Sequence, residues 1–377
     1  MQTIYDAVNS SPPAEASMRI LRETWAASGA AASQIPGVHI LDGGEVVYTG
    51  ELSPGCQACK AGTWDCVFIG VQCNINCAFC CNPHAIPADY TGSAFGSQPR
   101  EITANYQATR INGVSFSGGE PFSQPKKLLG WVADFKRAYP DAYYWVYTNG
   151  LLAKEPYLER LGALGVHEIR FNMAATGYTH PTVLRHLAVA SHHIPTLTVE
   201  IPAIPDHESR LLASLETWCA QGVQFLNLHE FMYEPGTNAE SMPGARLPIT
   251  LPDGHRTAID PQSRALTLRV MQYVRDHNLP LAVNDCSLQS KLRQLRGRRR
   301  SLAPLTAQPY EQVIDEELLV HHCAYSSTEI LVFHPDATGS IRTQYPEHQL
   351  VRIGRRAPLS QDAPDQWVLF ERLAWEG

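Results

Sequence analysis

The chain has 377 residues, 44% hydrophobic and 18% charged, which suffices for one barrel-sized domain with a small appendage or for two ordinary domains. A formal net charge of -7 argues against a nucleic-acid binder driven by bulk charge, because phosphate contacts need a basic face. No stretch approaches the ~18 uninterrupted apolar residues of a membrane span. The opening "MQTIYDAVNSSPPAE" also lacks the basic start and apolar run of a secretory signal, so a cytoplasmic chain with reduced thiols is expected.

Residues 1–64 read as an N-terminal extension that carries a C-x-x-C pair, with a helix expected in "PAEASMRILRETWAAS" and ended by Gly29. From Cys66 onward, apolar runs of strand length alternate with stretches of helical period. The expected strands are "CVFIGV", "GVSFSGG", "AYYWVYTNG", "EIRFNM", "PTLTVEI", "VQFLNLHEF" and "LPLAVND". Between them, Leu128, Trp131, Phe135 and Ala138 fall on one helical face, as do Leu266, Val270 and Val274, while Pro140 and Gly165 sit where helices should stop. This alternation predicts an α/β fold, a partial to nearly complete (β/α) barrel over residues 65–298, with its chemistry at the C-terminal strand ends. The arginine run "RQLRGRRRS" reads as a solvated helix end or loop. Residues 299–377 read as a small C-terminal α+β module. There "STEILVFHPDATGSIRTQY" suggests two strands joined by a turn at 336–339, and "QWVLFERLAW" adds an apolar segment.

Seven cysteines fall between residues 56 and 81, and reduced thiols at such density point to metal rather than to disulfides. Zinc sites usually pair one C-x-x-C with a second at a distance. "CNINCAFC" instead puts Cys73, Cys77 and Cys80 on one loop. That supplies three thiolates and leaves a fourth position open, as a [4Fe–4S] cluster requires if one iron is to meet a substrate.

With Phe79 before the last cysteine, this loop resembles the C-x-x-x-C-x-Φ-C motif of the radical S-adenosylmethionine (radical SAM) superfamily, and it follows the first expected strand as it does in that family. "SGGEP" strengthens the likeness, since the family uses a Gly-Gly-Glu segment at the end of the second strand to hold the SAM amino group. The resemblance implies a (β/α) barrel of the radical SAM type and two cofactors, a [4Fe–4S] cluster on Cys73, Cys77 and Cys80 and S-adenosyl-L-methionine. It also implies reduced flavodoxin or ferredoxin as electron donor. Gly118 and Gly119 would let the backbone approach the ligand, and Glu120 would meet its ammonium. Phe79 is expected near the adenine. Thr148, Asn149, Asn172 and Glu200 are expected around the ribose and methionine, and His229 and Glu230 face substrate or adenine.

Cys56, Cys59, Cys66, Cys286 and Cys323 remain as candidates for a second iron–sulfur cluster, against a structural zinc or plain buried thiols. Cys286 closes a strand and is therefore also a candidate to touch substrate, whereas Cys66 opens one and is expected at the opposite barrel end. Cys81 reads as a bystander, Cys219 as core, and His321 and His322 as fold residues. A C-x-x-C before the cluster strand and a late Cys-Ser pair loosely resemble a branch near the pyruvate formate-lyase activating enzymes. The implied reaction is reductive SAM cleavage to a 5′-deoxyadenosyl radical, which abstracts hydrogen from a peptide, a protein side chain or an amino-acid-derived metabolite. Glycyl-radical activation and C-methylation, the latter with cobalamin not excluded, are the alternatives within the family. A zinc or iron–sulfur module without turnover is the alternative outside it.

Overall fold

The computed structural model describes residues 14–81, 111–251, 256–314, 318–326, 329–356 and 366–372. Pro13 of the expected first helix, residues 373–375 of the expected apolar segment, and Ser327 and Thr328 of the expected strand lie outside these. Helix α1 (Ala14–Ala32) runs three residues past Gly29, and a hairpin of β1 (Val38–Leu41) and β2 (Val46–Thr49) leads to the short helix α2 (Pro54–Ala61). Then come β3 (Trp64–Gly70), β4 (Gly113–Gly118), β5 (Tyr143–Thr148), β6 (Glu168–Phe171), β7 (Thr196–Ala203) and β8 (Phe225–Glu230). The chain next forms a small antiparallel sheet of β9 (Met232–Tyr233), β10 (Leu247–Thr250) and β11 (Arg256–Ile259) before returning as β12 (Ala282–Cys286).

Strands β3, β4, β5, β6, β7, β8 and β12 lie side by side in chain order, each parallel to the next. They form an α/β partial barrel. Between successive strands run α3 (Pro125–Ala138), α4 (Glu155–Ala163), α5 (Pro181–His193), α6 (Glu208–Ala220) and α7 (Ser263–Asp276). Proline opens α3, α4 and α5, where its missing N–H costs nothing. One alternate set of strand residues, including Val67, Ile69, Val114, Phe116, Val146 and Ile169, is fully buried under these helices. Helix α3 packs with Leu128, Val132 and Phe135, so Val132 takes the place expected for Trp131 and Ala138 is exposed. The other alternate set faces the barrel lumen.

The division at residue 64 does not correspond to a break in the sheet. Antiparallel β2 pairs with β12 through Tyr48–Asn284 and Val47–Asp285, extending the barrel sheet. Helix α2 enters the lumen from the N-terminal strand ends. Ser53 caps it by accepting from Cys56 N at 3.2 Å, and Gly62 ends it in the left-handed region at φ +71. A side chain has no room at Gly62, because the backbone of Gly297 in α8 (Leu288–Thr306) lies against it. The arginine run therefore lies inside a packed helix. Arg298 and Arg299 are buried, and Arg293 and Arg296 pair with Glu45, contrary to the expected solvated segment.

The C-terminal module is an antiparallel sheet of β13 (Gln312–Ile314), β14 (Leu318–Tyr325), β15 (Ile330–Phe333), β16 (Gln349–Arg356) and β17 (Gln366–Arg372). The second strand expected after the 336–339 turn is instead helix α9 (Thr338–Gln344), which packs Ile341 beside Ala324 and Phe333.

Helix α2 fits the lumen only because Gly55 has no side chain: a Cβ there would strike the Arg170 guanidinium and stand 2.7 Å from Glu168 Oε2. Gly55→Ala should lower stability by about 1–3 kcal/mol in urea unfolding. Gly130→Ala, on an exposed helix face with open space, should raise it by about 0.5–1 kcal/mol. Equal effects at the two glycines would contradict this seating of α2.

Candidate active site

Beyond Gly70 the chain turns through the cysteine loop, and beside it β4 ends at Gly118 with φ +121, a conformation open to glycine. A Cβ at Gly118 would collide with the Gly70 carbonyl, and one at Gly119 with the Gln72 carbonyl. Without those side chains the two segments join: Gly119 N donates to Gly70 O, and Glu120 N to Gln72 O, each at 2.8 Å. The first use of these glycines is thus to admit the loop's own backbone. On the other side, Asn238 Nδ2 donates to Phe79 O at 3.0 Å and to Met232 O at 2.9 Å, while its Oδ1 accepts from Glu234 N at 2.7 Å. Ser241 Oγ donates to Ala78 O at 2.7 Å. Sequence reasoning missed both residues, since "EPGTNAES" signals only a turn.

The loop presents Cys73 exposed and Cys77 and Cys80 partly exposed, with Cys80 N donating to Cys77 O at 3.0 Å. Burial, then the neighbouring thiols of Cys80 and Cys73, push Cys77 up to about 12. Among the described residues no three Cys, His, Asp or Glu side chains close to the spacing of ligands on a single ion. Cysteines of a cubane bind different irons, and Cys73 and Cys80 lie close enough to Cys77 to act on it, so the three thiols of this loop fit that group. Asn149 Nδ2 donates to Asn74 Oδ1 at 2.8 Å and approaches Cys73 Sγ at 3.8 Å, tying the loop to the end of β5. Phe79 is half-buried against both the barrel core and the Phe231–Tyr233 cluster.

Glu120 is buried. Its Oε1 accepts from Thr148 Oγ1 at 2.8 Å and Phe122 N at 3.1 Å, and its Oε2 from Asn149 N at 2.7 Å. Thr148 and Asn149 are therefore engaged by Glu120 and by the loop. A carboxylate has about four acceptor positions, so one remains for a cation such as an ammonium. Burial lifts Glu120 to about 7 despite these three donors.

Below the loop lies a cavity of about 300 Å³ in the lumen, bordered by α2, α8 and the barrel strands. Cys56, Cys59, His229 and Cys286 line it with Arg170 and Glu200. Glu200 accepts from Arg170 Nη1 at 2.7 Å and Asn227 Nδ2 at 2.8 Å, and contacts His229 Nε2 at 2.7 Å. Burial opposes its charge, but Arg170 and His229 hold the carboxyl well below its ordinary range. Its carboxylate thus engages three lumen side chains. Burial likewise opposes a charge on His229, yet Cys286 and Glu200 raise it to about 9, and, against desolvation, His229 draws the partly exposed Cys286 down to about 7. The two are register partners on β8 and β12.

Of the remaining candidates, Asn172 stays at the rim, its N donating to Thr148 O at 2.8 Å, and Glu230 follows His229 on β8. Asn172 caps a short turn by accepting from Ala175 N at 3.2 Å, and Glu230 accepts from Leu288 N at 2.7 Å at the start of α8. Cys66 is the third residue of β3, not its opening, and its buried thiol lies by Ser115 and Ser117. Cys323 lies in the C-terminal sheet with Val351 and Ile353. Cys81 is exposed. His321 is buried against Tyr310, and His322 bonds Thr338 Oγ1 at 2.7 Å. A larger hollow of about 600 Å³ opens at the opposite strand ends, beside Pro36 and Pro280, away from every candidate.

Residues 60–159 match the family model of a 4Fe-4S single cluster domain. A Methanocaldococcus jannaschii protein, provisionally named a glycyl-radical enzyme activating enzyme, is 25% identical over 284 residues, spanning 72% of this chain and 72% of its own. Among solved structures, Streptococcus suis SuiB bound to precursor peptide SuiA is 10% identical over 58% of this chain, with a TM-score of 0.43. The chain spans about half of SuiB, 48% of its length. Methylornithine synthase PylB is 12% identical over 63% of this chain and 79% of its own, with a TM-score of 0.40. The cluster loop after the first barrel strand and the Gly-Gly-Glu strand end beside it resemble the radical SAM superfamily, and the 4Fe-4S match and the Methanocaldococcus relative agree with that likeness.

Removing Asn238 strands two carbonyls and one N–H. Asn238→Ala should therefore cost about 1–3 kcal/mol and speed amide hydrogen exchange across residues 77–81, with α5 unaffected. Unchanged exchange there would refute the tether. Glu120 gives a pH test, since its folded value of about 7 lies above its ordinary 4.5. The folded chain then holds a proton that the unfolded chain has lost, so stability should fall as pH rises from about 4.5 to 7 and level off above. Glu120→Gln should flatten that part of the denaturation profile, and an unchanged slope would count against the buried carboxyl.

Proposed function

We propose that this chain is a radical SAM enzyme that abstracts hydrogen from a protein or peptide side chain. The observation that carries the reading is the clamp between the cysteine loop and the Gly-Gly-Glu strand end, which puts three thiols and one buried carboxylate at the same barrel rim. Cys73, Cys77 and Cys80 would hold the cluster, and Glu120 would take the ammonium of SAM at its remaining acceptor position. Phe79, fixed by Asn238, would offer a ring to the adenine. Bound at this rim, the two cofactors would supply a 5′-deoxyadenosyl radical, with methionine as the other product and the electron drawn through the cluster from an external donor.

The chain's own residues then have distinct tasks. Gly118 and Gly119 fix the height of the loop over the lumen. Thr148 and Asn149 orient Glu120 and the loop, so they position rather than react. His229 and Cys286 stand at the C-terminal ends of β8 and β12, where a side chain inserted from above would arrive. The exposed Cys73 leaves the cluster side open to a one-electron donor of the flavodoxin or ferredoxin kind. A polypeptide substrate is supported by the Methanocaldococcus relative's name, which also favours a narrower second reading, activation of a glycyl-radical enzyme.

Anaerobic enzyme supplied with iron, sulfide, SAM and dithionite should form 5′-deoxyadenosine, detectable by mass spectrometry, and Cys73→Ala should abolish it. A chain that binds only zinc and forms no product under these conditions is not this enzyme. Candidate polypeptides deuterated at α- or side-chain carbons should pass deuterium to 5′-deoxyadenosine; transfer from a glycine α-carbon would select the narrower reading.

A further inference from the structure

Three cysteines far apart in sequence meet inside the barrel. Cys56 and Cys59 stand three residues apart on α2, on one helical face. Both line the lumen cavity together with Cys286 from the end of β12. Cys56 is fixed in place by Asn227 Oδ1, which accepts from its Sγ at 3.3 Å, and by Asn284 Nδ2 at 3.6 Å. Asn284 precedes Cys286 by two residues on the same strand face, a step of about 6.6 Å at ~3.3 Å per residue. Three thiols that face one cavity from α2 and β12 suit ligation to different irons of a cluster.

The charges around the cavity point the same way. Lys60 is buried beside it, and its Nζ donates to neutral oxygens only, Ser290 Oγ at 2.8 Å and Asp285 O at 3.4 Å. Lys291 lines the same space. A buried ammonium held by neutral partners calls for a negative group nearby. A cluster ligated by three thiolates carries such charge, and the cavity of about 300 Å³ has room for it.

We propose that Cys56, Cys59 and Cys286 bind a second iron–sulfur cluster within the barrel lumen, separate from the one on the exposed loop. Cys66 and Cys323, the other candidates from the sequence, take no part. Cys66 lies against β4 serines and does not line the cavity, and Cys323 belongs to the C-terminal sheet.

The test uses the full chain reconstituted anaerobically with ferrous iron and sulfide. The Cys73→Ala/Cys77→Ala/Cys80→Ala variant should keep about half of the wild-type iron and sulfide, with a cluster EPR signal after reduction. Adding Cys56→Ser and Cys286→Ser should remove that remainder, whereas adding Cys323→Ser should leave it. A colourless triple variant, or one holding a single zinc, overturns the proposal, as does a Cys56–Cys59 disulfide found by mass spectrometry. Circular dichroism of each variant separates loss of the site from loss of the fold. The converse variant, Cys56→Ser/Cys59→Ser/Cys286→Ser, should keep one cluster whose EPR signal changes on adding SAM. That arm reports on the loop cluster alone, so failure of either site is read independently of the other.

Discussion

The contact on which the site depends is a backbone one. Two hydrogen bonds, from Gly119 N and Glu120 N to the carbonyls of Gly70 and Gln72, fix the cysteine loop to the neighbouring strand. They form only because positions 118 and 119 carry no side chain. Everything at the rim inherits its position from that join. Glu120 is turned inward at its end, Thr148 and Asn149 gather on Glu120, and Asn149 reaches back to Cys73. A Gly-Gly-Glu segment thus links strand, loop and carboxylate by geometry before any cofactor is considered. The energetic consequence is local. Net hydrogen bonds are worth about 1 kcal/mol each, so the loop is held by several modest contacts, with Asn238 and Ser241 on its far side.

The lumen poses the opposite problem, because it buries charge. Arg170 is enclosed between Glu168, at 2.7 Å, and Glu200, at 2.7 Å, and stacks over Trp145 at 4.7 Å. A buried ion pair is costly when one partner is missing, which explains why helix α2 must be small where it passes this group. Gly55 opens the space, Ser53 bonds Glu168, and the helix then delivers Cys56 and Cys59 beyond it. The N-terminal segment is therefore part of the barrel's interior.

Much of this organisation was legible in the sequence. The seven parallel strands follow from apolar runs alternating with helical stretches, and the cluster loop and Gly-Gly-Glu end are local motifs that need no tertiary knowledge. What could not be read is which polar group faces which. Strand alternation puts Glu200 in the lumen but does not reveal Arg170, Asn227 and His229 around it. The helix signals of α2 were all present, Ser53, Pro54 and Gly62, yet a capped helix carries no indication that it will plug a barrel. Polar strand ends were ambiguous for the same reason. Asn172 and Glu230 satisfy backbone N–H groups, a use that any strand end can require. In the C-terminal module, a short stretch flanked by turn residues became helix α9 because Ile341 found an apolar partner on the sheet, a tertiary choice that local pattern does not make.

The cysteines show how environment divides one residue type among tasks. On the loop, burial and mutual repulsion raise Cys77; in the lumen, burial raises Cys56 and Cys59. Only Cys286 is drawn the other way, because His229 stands beside it. A thiol that resists ionisation is a poor nucleophile and stays chemically quiet. The same thiol becomes a stable ligand once a metal replaces its proton, since the metal supplies the positive charge that burial withholds. The raised thiols of Cys77, Cys56 and Cys59 are therefore consistent with metal-binding chemistry, and Cys77 differs from the buried Cys56 and Cys59 chiefly in exposure. The rim group meets solvent and redox partners, and the lumen group meets only what enters the barrel.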